Sequence, residues 1–334
     1  MRPVMGLVRR LGAVEAMANQ EVETQDRSEE SLIRKDSWPF QAAFDSIIGG
    51  RDEQQDTALL KQVDAGLMTP ALLLVVADGM GGHVGGAVAS SLAVQAFGEA
   101  FEAATEQPAR ARLALGLQHA NEAIANGIAA NPELQGMGST IVAALQTGRT
   151  VEWVSVGDTL LIEIGKGKIL RLNEDHSLGA VFDAQAACGE ISWDEARNNP
   201  RRNMLRSALT GGPIGLTDFG QAALSAGNTL LLATDGILSI TDDRLIEIEE
   251  NSTLPVFLVK QILDEIVQNM QTDQDNTTIA ALKIPGGKTK PIIDDAIRHN
   301  QLLKRLHLYK KYAKQLCIFG ILTLITAVIL MKML

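Results

Sequence analysis

Apolar positions along the chain fall into two rhythms. Ala71-Leu72-Leu73-Leu74-Val75-Val76-Ala77 is apolar without a break, and Leu230-Leu231-Leu232-Ala233 nearly repeats it. Runs this short and continuous predict strands covered on both faces. From Gly86 the rhythm lengthens: Val88, Leu92, Val94, Ala96, Phe97 and Phe101 predict one helix. Leu113, Leu117, Ala120, Ile124 and Ile128, three and four apart, predict a second. A third helix is expected over 254–271. Ala42, Phe44 and Ile47-Ile48 suggest a strand ended by Gly49-Gly50. Two hairpins follow from their turns: 141–145 with 151–157 around Gly148-Arg149, and 160–164 with 168–172 around Gly165-Lys166-Gly167. A last strand is expected over 277–284. Between them, residues 173–225 hold Pro200, Pro213 and Gly211-Gly212 without a clear period, and predict a mobile helical insertion, a candidate lid.

Hairpins dominate this order and regular strand-helix alternation is missing. That points to an α+β fold with antiparallel sheets and flanking helices, rather than a doubly wound sheet.

The two ends differ from the middle. Residues 1–38 read as a flexible leader, rich in Glu, Gln, Ser and Asp after residue 18 and without a secretory signal. Residues 286–315 read as a basic juxtamembrane helix carrying Arg298, Lys304, Arg305, Lys310, Lys311 and Lys314, with no acid after Asp295. Leu316 to Met331 carries no charge, and Lys332 follows. As a helix, 316–334 spans roughly 28 Å, close to a hydrocarbon core. The flanking charge would place the larger part of the chain in the cytoplasm, with a single-pass anchor in membrane lipid. A buried core or oligomerisation helix is the competing reading.

Composition narrows the chemistry. At 46% hydrophobic, the 334 residues can build a full core. A formal net charge of −10 argues against nucleic acid as a partner. The only cysteines, Cys188 and Cys317, read as small inert hydrophobes, because Cys317 sits inside the apolar stretch. No Cys/His cluster has zinc-site spacing. What recurs is Asp followed by Gly or Asn: Asp78-Gly79, Asp235-Gly236 and Asp275-Asn276. The first two close apolar strands, which deliver a terminal side chain to a fixed place. Carboxylates delivered to one place from remote segments suit hard divalent cations. Taken singly, an Asp-Gly pair is usually a turn.

An ordered set of short motifs accompanies these pairs. They are Gly50-Arg51-Asp52-Glu53-Gln54-Gln55-Asp56, Asp78-Gly79-Met80-Gly81-Gly82-His83, Gly138-Ser139-Thr140, Val156-Gly157-Asp158-Thr159, Asn173-Glu174-Asp175-His176-Ser177, Ala233-Thr234-Asp235-Gly236 and Asp275-Asn276-Thr277-Thr278. Over about residues 40–284 the chain resembles the metal-dependent protein serine/threonine phosphatases of type 2C, in the bacterial form. The resemblance implies a phosphatase domain over 39–285, with a flap at about 173–225. It also implies a four-layer α-β-β-α sandwich of two antiparallel sheets flanked by helices.

The resemblance implies, further, that phosphoserine and phosphothreonine are hydrolysed by a hydroxide bridging two Mn²⁺ or Mg²⁺ ions. Asp78 would bridge the ions, and the Gly79 carbonyl would help bind one of them. Asp235 and Asp275 would complete the second site, Asp56 would support it directly or through water, and Asp158 would join Asp235 at a third ion. Arg51 would clamp the substrate phosphate with its planar fork. Partners would be phosphorylated Ser/Thr proteins and a cognate Ser/Thr kinase. Two positions depart from the family pattern. Gln55 stands where many members have Glu, and Met80 where animal members have a histidine proposed as general acid. A weakly active or inactive scaffold regulating a membrane kinase is therefore the alternative.

Several of these residues have plainer readings. Arg51 outside its motif would be a surface or ion-pair arginine, and Asp158 is as readily a turn residue as a ligand. His176 and Ser177 fit a loop brace, Ser139-Thr140 would pack beneath the ions, and Arg206 could be an ion-pair residue of the flap.

Overall fold

A computed structural model describes residues 41–64, 70–269 and 272–284, all within one compact unit. The expected leader, basic helix and apolar anchor lie outside the described residues. Among those described, no helix is long and apolar enough to cross a membrane.

Among the described residues, eleven strands form two wholly antiparallel sheets. The first runs β1 (Gln41–Ile47), β11 (Thr277–Lys283), β10 (Thr229–Ala233), β7 (Leu160–Gly165), β8 (Lys168–Arg171). The second runs β2 (Asp56–Asp64), β3 (Pro70–Met80), β5 (Ile141–Thr147), β6 (Thr150–Val156), β9 (Asp218–Ala223), with the short β4 (Gly138–Ser139) on β3. Helices α1 (Gly82–Ala103) and α2 (Ala109–Ala130) cover the second sheet. Helices α5 (Asp242–Asn251) and α6 (Pro255–Gln268) cover the first. Two short helices, α3 (Leu178–Ala187) and α4 (Trp193–Arg197), open the segment before β9.

The period of two explains how unbroken apolar runs serve four layers. Along β3, Leu73, Val75 and Ala77 meet Phe97, Phe101, Leu117 and Ile124 of the helices, while Leu72, Leu74 and Val76 face the other sheet. Along β10, Leu231 and Ala233 meet Ile262 and Leu263, and Leu230 and Leu232 face inward. The inter-sheet layer is completed by Leu161, Ala280 and Leu282. Burying each such leucine contributes about 1.5–3 kcal/mol. The buried Arg112 side chain stacks 4.0 Å from the Phe101 ring centroid and donates to the carbonyls of Phe101 and Asp64.

Three elements depart from the sequence reading. β2 and β9 are the two edges of the second sheet, and their mixture of Asp, Lys, Gln and Gly hides a strand pattern. β9 also ends the irregular insertion at residue 217, short of 225. α5 follows a single 3₁₀ turn (Asp235–Ser239) and is mostly charged outside Leu245 and Ile248. Cys188, expected as an inert hydrophobe, is exposed at the end of α3.

Leu74 is fully enclosed between the sheets. Leu74→Ala should therefore lower unfolding free energy by about 3 kcal/mol. Urea titration should show the midpoint falling with the slope unchanged.

Candidate metal centre

Antiparallel pairing puts the C-terminal end of one strand beside the N-terminal end of the next. Asp78 near the end of β3 therefore faces Asp56 at the start of β2 in register. In the other sheet, Asp235 follows the end of β10, while Asp275 precedes the start of the neighbouring β11. Asp158 occupies the turn from β6 to β7, which passes between the sheets. Both sheets thus deliver carboxylates to the same edge of the sandwich.

Arg51, Asp78, Gly79, Asp158, Asp235 and Asp275 all line one cleft of about 1000 Å³. Asp56 lies beneath it, only 8% exposed. The cleft's other wall comes from the segment after α4, including Asn203 to Ala208 and Pro213.

Hydroxyls and amides hold the frame. The Asp78 carbonyl accepts bonds from Thr140 N (2.8 Å) and Ser139 Oγ (3.0 Å), and Asp78 N donates to Thr140 Oγ1 (3.0 Å). Ser139 and Thr140 therefore brace the Asp78 backbone. Thr234 Oγ1 donates to Asp56 Oδ2 (2.8 Å), tying the first sheet to the second. Asn276 accepts from Gln55 N (2.8 Å) and donates to the carbonyls of Ile48 (2.7 Å) and Glu53 (3.0 Å). The sequence reading gave Thr234 and Asn276 no role. A buried polar side chain next to each strand-end Asp was the available signal.

Close backbone approach is built in at Gly79. A Cβ there would stand 2.0 Å from the Gly86 carbonyl oxygen, and one at Gly86 would meet the Gly79 oxygen at 2.8 Å. Gly81 starts α1 with φ +119, a conformation that side chains resist. These glycines also explain why helical periodicity surfaces only at Gly86, four residues after the helix begins.

Arg51 donates to Asp275 Oδ2 at 2.7 Å, so its ion-pair reading holds within the cleft itself. Asp158 is fixed through its carbonyl, which accepts from Arg171 at 2.9 Å. His176 is buried, and its Nδ1 accepts from Gly157 N at 3.2 Å. Burial lowers its pKa, so it is a neutral brace. Met80 lines the cleft. The His83 side chain lies outside the described residues.

Burial first, and crowding second, raises the pKa values of these acids. Burial, then the charges of Asp235 and Asp275, hold Asp56 at about 7 against the lowering effect of the Thr234 hydroxyl. Burial and the charges of Asp235 and Asp175 bring Asp158 to about 7. Asp78 is pushed well above the usual range by burial and by Asp56, Asp235 and Asp158. Asp235 is raised by burial and Asp275, with Arg51 opposing.

Oδ1 of Asp56 and Oδ1 of Asp235 are buried without a hydrogen-bond partner. Buried carboxylate oxygens of this kind, in an all-oxygen surround of like charge, fit hard divalent cations such as Mn²⁺ or Mg²⁺. Among the described residues no three His, Cys, Asp or Glu side chains form a ligand set by themselves. Water and backbone carbonyls such as that of Gly79 would have to complete a cation's shell.

Comparison with known proteins agrees with this geometry. The sequence profile described as protein phosphatase 2C matches residues 49–282. The chain belongs to the protein phosphatase 2C family. It is 28% identical over 233 residues to the serine/threonine protein phosphatase PstP of Mycobacterium tuberculosis, covering 68% of this chain and 44% of PstP. The chain thus spans less than half the length of that relative. It is 31% identical over 218 residues to the serine/threonine phosphatase Stp of Listeria monocytogenes, covering 62% of this chain and 82% of Stp. The crystal structure of the PstP catalytic domain with two manganese ions superposes with a TM-score of 0.60 at 24% identity, covering 73% of this chain and 98% of that one. The type 2C fold expected from the motifs is therefore the observed one.

A carboxyl with a raised native pKa favours folding below its unfolded value, near 4, and loses that contribution as pH rises through its native value. With divalent cations chelated, melting temperature should therefore carry a component that falls between pH 4 and about 7, from Asp56 and Asp158. Asp158→Asn should flatten that slope relative to the parent in paired melts across this range.

Proposed function

We propose that this protein is a serine/threonine phosphoprotein phosphatase dependent on two Mn²⁺ or Mg²⁺ ions, with Asp158 as a ligand of a third. The observation that carries the reading is the convergence of Asp78, Asp158, Asp235 and Asp275 on one cleft that also holds Arg51. Membership of the type 2C family and the manganese complex of a relative support it.

A phosphate monoester dianion repels nucleophiles, and the cleft is itself acidic. Bound at these carboxylates, a pair of hard cations supplies charge neutralisation and a water whose pKa is lowered towards neutrality. The chain's own residues do the placing. Asp78 and Asp235 would hold the cations from opposite sheets, and the unpartnered Oδ1 atoms of Asp56 and Asp235 leave lone pairs for cations or their water. Arg51, half-exposed and braced by Asp275, has guanidinium donors left over for phosphate oxygens. Ser139, Thr140 and Asn276 keep the strand ends fixed, so the acids do not reorganise during turnover. Gln55 lines the cleft as a neutral amide, which keeps the cluster's negative charge one lower than a glutamate would.

The uncharged stretch 316–331, with basic residues from Arg298 to Lys314 before it, supports a membrane tether with the phosphatase domain on the cytoplasmic side. Such a tether would hold the domain near membrane-associated kinases and their substrates.

The full-length protein should hydrolyse a phosphothreonine peptide with Mn²⁺, and Asp78→Asn or Asp235→Asn should lower kcat/KM by at least about 100-fold. Equal turnover in all three proteins would remove the metal assignment. No turnover in any of them would favour a non-catalytic scaffold. Deleting 316–334 should move the protein from the membrane to the soluble fraction.

A further inference from the structure

The cleft has two walls of unlike character. One carries the carboxylates. The other is the segment after α4, and its charged side chain is Arg206. Of the two arginines that line the cleft, Arg51 makes one contact with Asp275 and is the expected ligand of the scissile phosphate. Arg206 is exposed, and its guanidinium makes no hydrogen bond or ion pair among the described residues. Its neighbour Arg202, by contrast, is closed onto Asp183 by bonds of 2.8 and 2.7 Å.

The backbone around Arg206 is pinned. Arg206 N donates to the His176 carbonyl at 2.7 Å, and Leu205 is bridged to Ser177. Ser207 Oγ donates to the Leu216 carbonyl (2.8 Å) and accepts from Leu216 N (2.9 Å), and Leu209 is bridged to Ser139 beneath Asp78. An unpaired arginine of the cleft lining therefore stands on a fixed backbone, which limits the ordering cost of using it. A cleft of about 1000 Å³ also exceeds what one phosphorylated side chain fills, which leaves room for the flanking residues of a substrate.

We propose that Arg206 selects substrates carrying a second anionic group, a phosphate or a carboxylate, on a residue flanking the scissile phosphoserine or phosphothreonine. The proposal rests on the phosphatase reading above. Arg206 is a specificity residue here, outside the reacting groups. One charge-assisted contact of this kind corresponds to roughly 10- to 100-fold in affinity.

The test uses the full-length protein with Mn²⁺ and three phosphothreonine peptides, whose flanks are neutral, glutamate-bearing or bearing a second phosphothreonine. The parent should favour both anionic peptides by about 10-fold or more, expressed in KM with kcat little changed. The difference between the two anionic peptides identifies which source of charge is preferred. Arg206→Ala should erase the preference, and Arg206→Glu should transfer it to a peptide flanked by lysine. Arg201→Ala, an exposed arginine outside the cleft lining, should retain the preference. Calorimetric binding of non-hydrolysable phosphonate versions of the same peptides gives a second readout. Flank-dependent binding lost in Arg206→Ala, without turnover in the parent, would sustain this proposal while removing the phosphatase reading. A parent indifferent to flanking charge would overturn it, as would an Arg206→Ala variant that keeps the preference or weakens all three peptides by one factor.

Discussion

Coulomb repulsion among carboxylates is what the rest of this molecule is arranged to withstand. Asp56 and Asp78 face each other across β2 and β3, and Asp235, Asp275 and Asp158 are close enough to raise the same pKa values. Left to themselves, such groups would push strand ends apart or take up protons. The frame prevents the first by anchoring each strand end to a neighbour. Thr140 and Ser139 hold Asp78, Thr234 holds Asp56, and Asn276 holds the loop that carries Arg51 and Gln55. The anchors are neutral donors and acceptors, so they fix position without discharging the cluster. An acidic site kept in place but not neutralised is poised for cations.

Much of this was legible from the chain, and for identifiable reasons. β3 and β10 were visible because strands covered on both faces must be apolar at every position, and their terminal aspartates then stood out. α1, α2 and α6 were visible because each presents an apolar face to a sheet. The parts that escaped lie at edges. β2 and β9 each bury one face incompletely and pair on one side, so Lys61, Gln62, Gly220 and Gln221 carry no signal of strand. The charged α5 is fixed chiefly by Leu245 and Ile248 against the first sheet.

At the site, the motifs named which acids would meet, but not what would hold them. Thr234 and Asn276 were present in those motifs without a role, because a hydroxyl or amide acquires one only when a strand from elsewhere arrives opposite it. Asp56 and Thr234 are 178 residues apart in sequence. Arg51 shows the same limit. Its motif suggested a phosphate ligand and its type suggested an ion pair, and the Asp275 contact shows one guanidinium with room for both.

The bond from Thr234 to Asp56 crosses from one sheet to the other beside the acids, at the rim of the layer filled by Leu72, Leu74, Leu230 and Leu232. The thickness of that hydrocarbon layer is therefore a ruler for the distance between Asp78 and Asp235, since each hangs from a different sheet. A methylene added or removed deep in the sandwich, far from any substrate, would shift one of these carboxylates against the other. Residues with no chemistry of their own thereby set where the acids stand.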